Sequence, residues 1–221
     1  MLRDIEINQI SDGQLYKSNE MAKLGCNDCE GCSDCCKGMG NSIVLDPYDV
    51  YRLTRHLNCT FESLIGEAFE LTVVDGLIMP ALAMIGPEEK CSFLNEKGRC
   101  SIHPYRPGIC RLFPLGRIYE EDTFSYFLQT KECSKSNRTK VKIKKWLDTP
   151  NLEQYEAYIL KWHKLVVQLR EMVAEIIKKD GSEAEMKDIS LNMLKTFYLQ
   201  EYRGNGDFFC QFDERYEKYR K

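Results

Sequence analysis

The stretch CNDCEGCSDCC, from Cys26 to Cys36, places five cysteines in eleven residues. Four follow a C-x2-C-x2-C-x2-C spacing, and Cys36 follows Cys35 directly. Thiolates bind zinc, or iron in iron–sulfur clusters. C-x2-C spacing lets two sulfurs reach one metal centre from a single tight turn. The run offers two overlapping registers, Cys26-Cys29-Cys32 and Cys29-Cys32-Cys35, and the spacing does not choose between them. Neighbouring side chains generally diverge, so Cys35 and Cys36 are expected to serve different centres or two metals of one larger cluster. A vicinal disulfide is the rarer third option.

Downstream, Cys91, Cys100, Cys110 and Cys133 each lie beside turn or hairpin signals. Together with Cys29, Cys32, Cys35 and Cys36 they make eight candidate metal ligands, enough for two four-thiolate centres. Cys59 and Cys210 stand apart and read as small buried hydrophobes. Zinc ribbons usually supply two C-x2-C pairs, whereas the remote cysteines here are single. That spacing and the softness of the donors favour iron–sulfur over zinc. Arg106 and Arg111 flank Cys110. A guanidinium there would stabilise an anionic thiolate centre; the alternative is that it bonds loop carbonyls.

Three stretches carry a family resemblance: CEGCSDCC from Cys29, CSFL from Cys91, and GRCSIHPYRPGICRLFP from Gly98 to Pro114. With Cys133 they resemble the YkgJ-like CxxCxxCC cysteine-cluster family, over about residues 26 to 133. Cys26 lies outside that pattern, and His103 stands where family motifs often carry Tyr. The resemblance implies zinc or iron chelation. The same family includes the flagellin lysine-N-methylase group, which implies a second reading: a cluster- and S-adenosylmethionine-dependent protein lysine methyltransferase. No cofactor-binding motif for that reaction is visible in the chain. A third reading is a zinc-stabilised module that docks a protein partner through its C-terminal helices. No catalytic acid–base set is legible, and no Walker motif, G-x-S-x-G or H-E-x-x-H occurs.

The bulk of the chain narrows these choices. With 31 basic and 34 acidic residues, the formal charge is −3, which gives no global pull toward nucleic acid or anionic membrane. The basic KVKIKKW, Lys140 to Trp146, reads as a solvated turn before a helix. No stretch approaches the ~20 apolar residues of a membrane span, and the N-terminus lacks a secretory apolar core. A cytoplasmic, reducing location follows as the expectation. There, clustered cysteines are metal ligands or redox thiols more often than disulfides.

The expected fold is α+β and helix-rich. Residues 1–25 form an N-terminal segment, 26–135 a hairpin- and loop-rich cysteine and metal core, and 136–221 a C-terminal helical hairpin packed on it. Asp46-Pro47 predicts a capped helix over 47–57. Thr60 predicts a second, to about 69. Asp75-Gly76 predicts a hairpin turn, and Gly98 another between Cys91 and Cys100. Ile5 and Ile7 suggest a strand, and Ser42–Leu45 another. The prolines from Pro104 to Pro114 predict a non-helical loop. Val141–Leu147 is ambiguous between strand and helix. Apolar residues at three- and four-residue spacing from Leu152 to Ile177 predict one long helix ended by Gly181, and a further helix spans 183–200. Loop-rich metal sites of this kind seldom fold without their metal.

Overall fold

The structure is a computed structural model that describes residues 7–26, 32–135, 137–204 and 207–220. The chain divides into two compact units, each made of two stretches: Met1–Met39 with Met84–Glu156, and Gly40–Ala83 with Ala157–Lys221. The class is α+β with small sheets and helices toward the C-terminus, as the sequence predicts. Among the described residues, no helix is long and apolar enough to cross a membrane.

The first unit is built on a three-stranded antiparallel sheet. Its order is β1 (Ser11–Tyr16), β8 (Phe124–Gln129), β7 (Leu115–Tyr119). The central β8 buries every residue from Phe124 to Leu128, as a strand flanked on both edges can. Gly116 pairs with Phe127, whose ring lies where a Cβ would stand, so only glycine lets this pair close. A second ribbon pairs β2 (Met21–Gly25) with β9 (Thr139–Lys142), and α5 (Ile143–Leu147) follows β9 directly. The ambiguous segment is therefore strand first and helix second. The expected strand at Ile7 is instead the short helix α1 (Ile7–Ile10), and Ile5 lies outside the described residues.

The second unit contains α2 (Pro47–Leu57), entered through a reciprocal capping box between Asp46 and Asp49. The next helix, α3 (Phe61–Leu64), is shorter than expected, and the chain turns into a strand at Phe69. Strands β3 (Phe69–Val74) and β4 (Leu77–Leu82) form the hairpin. Asp75 and Gly76 sit at φ 48° and 84°, the left-handed pair that suits a two-residue turn. Ser42–Leu45 contributes one bridge, Val44 to Ala81, and not a strand.

The long helix α6 (Leu152–Lys178) supplies its first turn to the first unit and the rest to the second. α7 (Glu183–Leu194) follows, continued by a π-helical turn, Lys195–Leu199. A further helix, α8 (Phe208–Tyr219), completes the C-terminus. The expected helical hairpin is thus a set of three helices. Trp162, Phe197, Phe208 and Phe212 bury their rings together with Tyr158 and Tyr198. Arg215 of α8 donates to the carbonyls of Thr196, Gln200 and Glu201 at 2.7–3.1 Å, satisfying groups in the π turn and just beyond its end.

Candidate metal centre

The cysteine run ends in a 3-10 turn, Asp34–Cys36, closed by the Cys36 N–H on the Ser33 carbonyl at 2.9 Å. The backbone that carries Cys35 and Cys36 is this turn and not an extended strand. Divergence belongs to extended backbone; in the tight turn the two thiols lie near enough to act on one another's protonation. The Cys36 thiol held against it lowers Cys35 to about 7, and Cys36 is pushed far up in exchange. Both are free thiols, which removes the vicinal disulfide.

Backbone pairing carries this turn to the next cysteine. Lys37 bridges Lys90 in antiparallel register, and the Gly38 N–H donates to the Glu89 carbonyl at 3.0 Å. Continuing that register sets Cys36 across from Cys91. Glu88 draws Lys37 and Lys90 together at 3.8 and 3.3 Å, which offsets the like charges on the bridge. Cys91 itself lies in the two-residue strand β6 (Lys90–Cys91), paired with β5 (Met84–Ile85).

Between Cys91 and Cys100 the chain turns back, though as a compact loop and not as a ladder of strands. The Leu94 N–H donates to the Cys91 carbonyl at 2.8 Å, and Leu94 bridges Cys100. The Asn95 side chain accepts from the N–H groups of Lys97 and Arg99, both at 3.0 Å, and so fixes the tip. From Cys100 the chain enters a 3-10 turn, His103–Tyr105, and then α4 (Gly108–Leu112), which carries Cys110. The proline-rich stretch is therefore two short helical turns. Pro104 sits in the first turn of one and Pro107 just before the other, where a missing N–H costs nothing, and Pro114 follows the end of α4.

Cys35, Cys36, Cys91, Cys100 and Cys110 lie close enough to act on one another electrostatically. Burial pushes the Cys91 and Cys100 thiols up. Against it, the backbone at Phe93 and at Ile102 favours the Cys91 and Cys100 thiolates. Backbone donors aimed at sulfur stabilise the thiolate, the form that binds metal. The donor set therefore fits a soft metal or cluster. Cys32 lies one turn before this group, half-buried. Cys133 is followed by Ser134, whose hydroxyl donates to the Asp34 carboxylate and ties that loop to the 3-10 turn. Cys29 lies outside the described residues, and among the described ones no three Cys, His, Asp or Glu side chains close into a metal site.

The two arginines divide the roles that the sequence left open between them. Arg111 is buried and spent on carbonyls: it donates to Arg106 at 3.0 Å, to Leu147 at 3.3 Å, and to Pro104 and Asp148. It clamps the ligand loop to the end of α5. Arg106 donates to the His103 carbonyl at 2.9 Å, and its charge acts on Cys35 and Cys100, favouring their thiolates. Sequence reading did not single out Asn95 or the Ser134–Asp34 tie. The N-x-x-G turn spacing was the available signal for Asn95; the tie spans 100 positions and had none. Cys59 is half-buried and Cys210 is exposed, so neither is the buried residue expected.

Thiols gathered from separate loops, with the Arg106 charge acting on two of them, suit the chelation of a soft metal. The chain belongs to the CxxCxxCC family, described as "Putative zinc- or iron-chelating domain", which it matches over residues 28–140. No curated protein and no solved structure matches it.

Proposed function

We propose that this chain is an iron–sulfur protein whose centre serves electron transfer or metal handling, with Cys29, Cys32, Cys35, Cys36, Cys91, Cys100, Cys110 and Cys133 as ligands. The observation that supports this reading is that five thiols from three separated segments, the 3-10 turn, the Cys91–Cys100 loop and α4, lie near enough to act on one another. Gathering single cysteines from scattered loops suits a cluster with several corners better than one tetrahedral ion, which two C-x2-C pairs serve. Arg106 adds a positive charge beside the thiolates, one of the levers that raises a cluster's potential. Such a cluster, once bound, supplies one-electron chemistry. The protein's part is to hold eight sulfurs, exclude water at Cys91, and set the local charge.

The test is anaerobic purification followed by metal and sulfide quantification with a visible spectrum. Iron with acid-labile sulfide and broad absorbance near ~400 nm is the expected result. Zinc without sulfide would replace this reading with that of a zinc-stabilised interaction module.

A further inference from the structure

The first unit contains a second site that the cysteines do not use. Between the β2–β9 ribbon and the edge of the three-stranded sheet lies a cavity of about 560 Å³. Four cations line it, Lys23, Lys135, Arg138 and Lys140, against one carboxylate, Asp12. Asp12 is already engaged: it accepts from the Tyr16 hydroxyl at 2.5 Å and from the Gln14 N–H at 3.2 Å. Two further observations single the cavity out. Lys23 and Lys140 are direct cross-strand partners in the β2–β9 pairing, and like charges directly opposite destabilise a ribbon. The Nη1 of Arg138 is buried with no hydrogen-bond partner among the described residues. A buried charged donor left unmade is costly. None of the four cations forms an ion pair among the described residues.

A ribbon that opposes two lysines, beside an arginine with one buried and unpartnered nitrogen, is arranged for a multivalent anion. We infer that this cavity binds a small molecule bearing two or more phosphate groups. A phosphate chain can accept from both lysines and from Arg138 at once. The volume exceeds what a phosphate chain fills and lies in the range of ordinary ligand sites. Leu128, Met21 and Ala22 supply an apolar wall for the remainder of the molecule. The site also adjoins the metal region in sequence: β2 ends at Gly25, before Cys26, and Lys135 follows Cys133 by two positions.

The experiment is titration of the full, metal-loaded chain with inorganic pyrophosphate by calorimetry, beside the Lys23→Gln/Lys140→Gln double variant. The metal content of both proteins is measured before and after. The wild type binds, and the variant binds at least about tenfold more weakly with unchanged metal content. Because the variant also relieves a repulsion, its melting temperature without ligand stays level or rises, and only the wild type gains stability on adding pyrophosphate. No binding at millimolar pyrophosphate would overturn the inference. Equal heat in the variant would do so too, as pyrophosphate drawing on the metal would produce. A fall in the variant's own melting temperature would mark the lysines as structural. Tighter binding of a single-stranded oligonucleotide than of pyrophosphate would replace the small molecule with nucleic acid.

Discussion

In the unit of Gly40–Ala83 and Ala157–Lys221, Phe212 is fully buried and has the rings of Tyr158, Trp162, Phe197, Phe208 and Tyr216 within 4.6–6.4 Å. In the other unit, residues 32–39 contain no buried side chain. From 84 to 106 only Cys91 and Ile102 are buried. The first of these regions closes on rings and long helices, which exclude water on their own. The second has short turns, few apolar contacts and a convergence of sulfur. What hydrophobic burial supplies to one, metal chelation is expected to supply to the other.

The sharpest way to break this contrast is to remove the metal. Chelation under reducing conditions is expected to abolish amide protection over 84–110, while α6, α7 and α8 keep theirs in hydrogen–deuterium exchange. Uniform loss across both units would mean that the aromatic unit also depends on the metal. The converse perturbation is Phe212→Ala, expected to cost about 3–5 kcal/mol in denaturant unfolding of the aromatic unit. Metal content per folded molecule should not change; if it falls, the two regions are not independently held.

Arg111→Met should destabilise the cysteine unit by about 1–3 kcal/mol or more, because it leaves several clamped carbonyls unsatisfied. Arg106→Ala is expected to leave stability near that of the wild type. In the iron–sulfur form it should lower the midpoint potential by tens of millivolts, where about 59 mV corresponds to a tenfold change for one electron. An unchanged potential would confine Arg106 to the His103 loop. The smallest effect is expected at Ser182, whose capping box with Glu185 opens α7. Ser182→Ala should cost about 1 kcal/mol, confined to the aromatic unit.

Local signals explain what was legible in the sequence. The helix Pro47–Leu57 follows from Asp46 and Pro47, and the hairpin from Asp75-Gly76, because each device acts within four residues. The helix α8 escaped notice because its buried face is carried by Phe208, Phe212 and Tyr216 among charged residues. The same helix explains Cys210: two residues from Phe208 is more than half a turn away, on the outer face. At the cysteine site the candidate residues were readable as a set, and five of them converge. The meeting of Cys35 with Cys36 was not readable, because it depends on a 3-10 turn that no side-chain pattern announces. That an arginine here bonds carbonyls was one of the two readings; that two of them belong to Leu147 and Asp148, up to 37 positions away, was not readable.

The discontinuity of the first unit sets an order of events during synthesis. Cys32, Cys35 and Cys36 leave the ribosome roughly 75 residues ahead of Cys110. At about 5–20 residues per second they wait about 4–15 s for the sulfur that completes the group. Through that interval the nascent chain carries a crowded run of thiols with nothing to share it, open to oxidants and to stray copper or zinc. Delivery of the correct metal is therefore a race whose start is set by translation speed across residues 40–110.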